Sequence, residues 1–167
     1  SATVGWGAAS QHFDSIMHAD VIMIVGANPT EGHPVFGSLM KRRVRQGAKL
    51  IVIDPRRTET VESPHIKAEV HLNLRPGTNV AVLDSIAHVI VREKLFNEDF
   101  VKARCEWEEF QRWAEFVSSD RYAPEVIGPE ARLDPDLIRR AARLYASGPN
   151  SAIYYGLGVT EHSQGST

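Results

Sequence analysis

Four short stretches of this 167-residue chain carry residue types suited to holding a phosphorylated, nucleotide-like ligand. The first reads Gly26-Ala27-Asn28-Pro29-Thr30-Glu31-Gly32-His33-Pro34. Gly26 permits close backbone approach, Asn28 and Thr30 offer short hydrogen-bonding side chains, and His33-Pro34 opens a helix whose free N–H groups favour a phosphate. The second, Asp54-Pro55-Arg56-Arg57-Thr58, supplies a carboxylate for a ribose hydroxyl or for the N1 and N2 donors of guanine, with Arg56 for a phosphate. The third, Arg75-Pro76-Gly77-Thr78-Asn79, is a tight turn leading into a helix start. The fourth runs from Gly156 to Gly165, and Gly156 and Gly158 frame one residue there, letting backbone pass close to a ligand or another chain. The first three stretches also have a plain reading. The first and third serve as turns with helix caps, and the second as a solvated turn in which Asp54 caps and pairs with Arg56.

A nicotinamide dinucleotide is disfavoured by spacing. Asn28 stands where the second glycine of a Gly-x-Gly-x-x-Gly fingerprint belongs, and Glu161 where the third belongs after Gly158. The seven histidines form no pair at metal-ligand spacing on an expected helix, so no metal site is expected. His33 is read as shaping its loop, and His18, His65, His71 and His88 as surface or hydrogen-bonded residues. Cys105 is the single cysteine, which excludes an internal disulfide and a cysteine-rich iron–sulfur site; beside Trp107 and Phe110 it is expected to be a buried, inert thiol. Trp107 and Trp113 are expected to pack in a core. Lys41, Arg42, Arg43 and Arg45 read as a solvated helix face.

Parallel strands would bring such loops to one rim. Apolar runs at Val21–Val25, residues 50–53 and residues 152–155 are nearly continuous, as in strands covered on both faces, whereas residues 70–74 alternate and suit an edge. Helical spacing recurs through Phe36, Leu39, Met40 and Val44, with Gly47 as a stop. It recurs again over residues 78–95, where Thr78 or Asn79 caps the start. Further helices are expected at Glu98–Arg104, Trp107–Val117 and residues 135–146, the last opened by Asp134-Pro135, and a short one at residues 11–18. The order predicts an α/β fold: a Rossmann-like, mostly parallel sheet flanked by helices, forming one segment over residues 1–167, with a helical insert at 97–148 before the last strand.

Hydrophobic residues make up 43% of the chain and charged residues 24%, enough for a real core. The net charge of −2 gives no overall pull toward nucleic acid or an anionic membrane. No apolar run reaches the roughly 20 residues of a membrane span. The opening Ser-Ala-Thr-Val and the closing Gly-Ser-Thr read as cut ends, so the chain is expected to be a fragment of a longer one; its single cysteine agrees with a reducing, cytoplasmic setting.

Taken together and in order, Gly26-Ala27-Asn28-Pro29 with His33-Pro34, Asp54-Pro55-Arg56, Arg75-Pro76-Gly77-Thr78-Asn79 and Gly156-Leu157-Gly158-Val159-Thr160 resemble the motifs of the molybdopterin oxidoreductases. That family includes formate dehydrogenases and nitrate reductases, whose molybdenum or tungsten is held by two molybdopterin guanine dinucleotides. The resemblance implies that Gly26, Asn28, Glu31 and Gly32 line one guanine dinucleotide. It places Ile53, Asp54 and Arg56 at the nucleotide end, and Gly77 and Asn79 closing the same site. Leu157 and Glu161 would meet the pterin, although many members carry Met and Gln at those two places. Met40-Lys41-Arg42-Arg43, Asp99-Phe100-Val101, Glu109-Phe110-Gln111-Arg112-Trp113 and the fourth stretch are similar to the α subunits of NAD-linked, cytosolic formate dehydrogenases.

Ser1-Ala2-Thr3-Val4 resembles the residues just after the metal-ligating cysteine or selenocysteine and its histidine, which would set Val4 near the pterin. The resemblance further implies an iron–sulfur cluster elsewhere in the parent. It implies as partners the rest of the same polypeptide and electron-transfer subunits. It also implies that the fragment is inactive alone and purifies without cofactor. A freestanding NAD- or nucleotide-binding module, or another family member such as a nitrate reductase, remains the alternative.

Overall fold

The computed structural model describes residues 12–162; Val4 therefore lies outside the described residues. Strand β1 (Val21–Val25) has all five residues buried, and β2 (Lys49–Ile53) buries all but its first. Both are continuously apolar because helices cover both faces of the sheet. With β5 (Val70–Leu72) and β6 (Ser151–Tyr155) they form a four-stranded parallel sheet in the order β5-β2-β1-β6. The period-two alternation of a strand divides its side chains between two cores. Val21, Met23, Val25, Ile51 and Ile53 pack with residues of α3 (Asn79–Arg92), α6 (Pro124–Ala131) and α7 (Pro135–Ser147). Ile22, Ile24, Leu50 and Val52 pack instead with Ile16, with Phe36 and Met40 of α2 (Pro34–Arg45), and with Val61 and Ile66.

The α/β class, the parallel sheet and the helical stretch before the last strand agree with the sequence. So do the edge position of β5, the helices α4 (Glu98–Arg104) and α5 (Trp107–Val117), and the Asp134 cap, whose carboxylate accepts from the Asp136 N–H at 2.9 Å. Gly47 ends α2 at φ +112°, as a glycine stop should. Of the short helix expected at residues 11–18, Gln11 lies outside the described residues, and Phe13–His18 form a 3-10 helix rather than an α-helix.

Several expectations are corrected. Strand β6 is not covered on both faces. Among the described residues it pairs only with β1, and although the Tyr154 ring packs on Phe36 with centroids 4.7 Å apart, Ile153 and Tyr155 on the other face are 43% and 68% exposed. Cys105 is exposed, because α4, which it follows, buries none of its residues. Trp113 is 45% exposed for a similar reason: α5 buries only Val117, and its aromatic rings pack chiefly on one another. Apart from single helical turns at Pro29–Gly32, Asp120–Tyr122 and Leu157–Thr160, two features are not foreseen in the sequence. One is α6, which Gly128 and Pro129 disguise. Gly128 sits where a Cβ would come within 2.8 Å of the Leu133 carbonyl oxygen, so the glycine lets α6 turn tightly into α7. The other is a two-residue hairpin, β3 (Glu62–Ser63) with β4 (Ile66–Lys67), inside the excursion between β2 and β5.

Candidate functional site

Strands β2, β1 and β6 end level: Val25 stands beside Ile53 on one side and Tyr155 on the other. The loops that follow therefore leave the sheet at one height, where open parallel sheets place ligands. The first loop turns at Gly26 (φ +56°), whose N–H donates to the Ile53 carbonyl at 2.8 Å. The chain then enters a single turn, α1 (Pro29–Gly32), closed by the Glu31 and Gly32 N–H groups on the Asn28 carbonyl. His33 occupies the N-cap of α2 and Pro34 its first turn, the helix opening expected there.

The Asn28 side chain is held on every side. Its Oδ1 accepts from the Thr60 hydroxyl at 2.7 Å, and its Nδ2 donates to Glu31 Oε2 at 3.0 Å and Glu59 Oε2 at 3.4 Å. A backbone hydrogen bond at Glu59 and the Asn28 amide hold the Glu59 carboxyl below the usual range.

In the second loop Asp54 is only 3% exposed. Its Oδ1 accepts from the Arg56 backbone N–H at 2.8 Å, while the exposed Arg56 Nε stands 3.4 Å away. His71 Nε2 lies 2.9 Å from the Asp54 carbonyl oxygen. In the third loop Thr78 sits at the N-cap of α3, but its hydroxyl donates back to the Arg75 carbonyl at 2.7 Å instead of capping. Asn79, the first residue of α3, is 2% exposed, and its Oδ1 has no hydrogen-bond partner. The fourth loop forms a single turn, α8 (Leu157–Thr160), clamped onto the first: Gly156 N–H donates to the Val25 carbonyl at 3.0 Å and Gly158 N–H to that of Gly26 at 2.9 Å.

A cleft of about 540 Å³ lies between the four loops. That volume falls in the range of small-molecule and cofactor sites. Gly26, Asn28, Glu31, Gly32, Asp54, Arg56, Asn79 and Leu157 all line it. Three other candidates stand outside its lining. Ile53 has its side chain in the core and its carbonyl taken by Gly26. Gly77 bends the third loop at φ +91° while its neighbour Pro76 faces the cleft. Glu161 is the exposed C-cap of α8, and the following His162 lines the cleft in its stead. Ala27, His33, Pro55, Gly156 and Gly158 complete the wall; all stand in the quoted stretches, and none is among the residues that the resemblance sets at the cofactor. Glu59 and Thr60 lie outside every stretch quoted from the sequence. The Thr58-Glu59-Thr60 alternation after Arg57 was their one signal in the sequence.

A cleft at the carboxyl rim of a parallel sheet lies where open α/β folds take their ligands. Residues 3–167 match the molybdopterin oxidoreductase family, and the chain belongs to it. It is 37% identical over 98% of its length to formate dehydrogenase H of Escherichia coli (strain K12), of which it spans 22%. It is 36% identical over 99% of its length to the F420-dependent formate dehydrogenase subunit alpha of Methanocaldococcus jannaschii, of which it spans 23%. Among solved structures it resembles the acetylene hydratase from Pelobacter acetylenicus, with a TM-score of 0.73 and 26% identity over 84% of this chain and 18% of that one. The chain thus spans under a quarter of the length of these relatives.

Proposed function

We propose that this chain is the segment of a formate dehydrogenase α subunit that holds one guanine dinucleotide of a bis-molybdopterin cofactor. The observation that carries the reading is the cleft itself, with its buried Asp54 carboxylate and the unpartnered Oδ1 of Asn79. A buried acceptor left unpaired costs roughly 1–3 kcal/mol. A ligand N–H or hydroxyl would satisfy it, and guanine and ribose offer both. Asp54 presents a carboxylate to the same donors, and Arg56 at the mouth suits a phosphate. The residues present therefore fit the group.

When bound, the cofactor supplies a molybdenum or tungsten centre that takes two electrons from formate. The residues of this chain bind and orient its nucleotide end. Val4, Ile53, Gly77 and Glu161 belong to this proposal on the family resemblance alone. So do the NAD-linked subtype, the cytoplasmic setting, the electron-transfer partner subunits and an iron–sulfur cluster in the parent.

The test is Asp54→Ala in the full-length polypeptide, scored by GMP released on acid hydrolysis and by bound molybdenum or tungsten. Both are expected to fall sharply relative to the unchanged protein. Full retention of guanine nucleotide and metal, or tighter binding of NAD than of guanine nucleotides, would overturn the reading.

A further inference from the structure

Thr60 is wholly buried, yet it lies beyond the four stretches that carry the family resemblance. It belongs to the excursion after the second loop, and its hydroxyl reaches back into the first. That hydroxyl donates to Asn28 Oδ1 at 2.7 Å and lies 3.1 Å from Thr30 Oγ1. A hydroxyl carries a single proton. Since Thr60 gives its proton to Asn28, Thr30 donates to Thr60, and the three side chains form a one-way chain of hydrogen bonds.

This chain sets the direction of the Asn28 amide. Its oxygen points inward to Thr60, and its NH2 points outward to the exposed carboxylates of Glu31 and Glu59. Turning the amide over would face Oδ1 against two carboxylates with no proton between them, so both ends agree. Asn28 and Glu31 line the cleft, which places a donor at its wall. The 3.4 Å contact to Glu59 is at the weak end of hydrogen-bond geometry and is the one a ligand oxygen can replace.

We infer that Thr60 is a positioning residue which fixes the Asn28 amide with its donor end toward the ligand and thereby couples the first and second loops. The inference rests on the reading of the cleft given above.

The experiment uses the cofactor-loaded full-length polypeptide with T60V, T60S, N28A and the double variant T60V/N28A. The readout is the rate at which guanine-containing cofactor is lost on dilution, followed as GMP in the retained protein. T60V keeps the side-chain shape and removes the proton, and loss of cofactor is expected to quicken about tenfold, the scale of one unsatisfied buried hydrogen bond. T60S keeps the hydroxyl and is expected to retain cofactor as the unchanged protein does. N28A is expected to lose cofactor at least as fast as T60V, and the double variant no faster than N28A.

A double variant whose loss multiplies the two single effects would show that Thr60 acts through packing, and it overturns the inference. So does a T60V protein that retains cofactor normally while N28A does not. If T60V fails to accumulate in soluble form, T60S decides: fast loss there shows that bulk, not the hydroxyl, matters. Normal retention in N28A overturns the reading of the cleft, and the role of Thr60 with it.

Discussion

Gly26 and Gly158 meet backbone to backbone: the Gly158 N–H donates to the Gly26 carbonyl at 2.9 Å, and neither residue has space for a side chain. A Cβ on Gly26 would stand 2.6 Å from the Gly158 carbonyl carbon, and one on Gly158 would stand 2.7 Å from the Gly26 oxygen. The glycines of the first and fourth loops thus serve to lock the loops together, and the cleft wall is built on that contact.

Gly26→Ala is therefore expected to destabilise the protein by about 2–5 kcal/mol, combining a left-handed backbone with an overpacked contact. Gly32 lines the same cleft but has open space around it and no positive φ, so Gly32→Ala is expected to stay within about 0.5 kcal/mol. Thermal unfolding of the two variants checks the contrast; equal shifts would refute it.

Asn79→Ala should act with opposite signs in two states. Without cofactor the change removes an unpaired buried oxygen worth roughly 1–3 kcal/mol of penalty, which offsets the lost packing. The melting temperature should hold or rise. With cofactor bound, retention of guanine nucleotide should fall. A large loss of stability in the cofactor-free protein would mean that the amide is already satisfied.

Burial raises the Asp84 carboxyl above its ordinary value, against the opposing pull of Arg121. A raised carboxyl favours its neutral form in the folded state, so the penalty is present at neutral pH, fades as pH falls through the raised folded value and is gone below the unfolded one. Asp84→Asn should accordingly stabilise the protein at pH 7 and give no advantage near pH 3. Denaturant titrations at the two pH values measure this.

Arg143 grips Glu93 through two hydrogen bonds of 2.8 Å, joining α7 to the end of α3 and holding the Glu93 carboxyl below its usual range. The lowered value places this contribution above the unfolded carboxyl pKa, to be lost as pH falls through the folded one. Because the pair is largely solvated, a cycle of E93Q and R143M is expected to show less than about 1 kcal/mol of coupling at neutral pH. It should show none in strong acid.

The parts of this fold that were legible in the sequence are those where one local signal dominates. Val21–Val25 is continuously apolar because two cores need it, and Asp134-Pro135 starts a helix by capping and by a fixed φ. Glu98–Arg104 and Trp107–Val117 were read to the residue, yet their burial was misjudged. Aromatic content marks α5 as amphipathic but does not say what covers Trp113 or leaves Cys105 open. Strand β6 fails in the same way: apolar Ile153 and Tyr155 look like interior residues, but only tertiary arrangement decides which strand stands at an edge. Helix α6 was hidden because Gly128 and Pro129 are breakers by propensity, and here packing against the Leu133 turn overrides it. In the site, residues within the glycine- and proline-marked turns were visible. Thr60 was not, since its reach to Asn28 across 32 positions of sequence is a property of the folded excursion.

Three strands of five residues each, Val21–Val25, Lys49–Ile53 and Ser151–Tyr155, run side by side with no offset. An added residue in any one of them would push its loop about 3.3 Å past its neighbours and swap its inward and outward faces. Length changes in this chain are thus quantised by location. The exposed Pro64-His65 turn of the β3–β4 hairpin can absorb them, while the strands beneath the cleft keep a common count, like teeth that must stay in step for the gear to mesh.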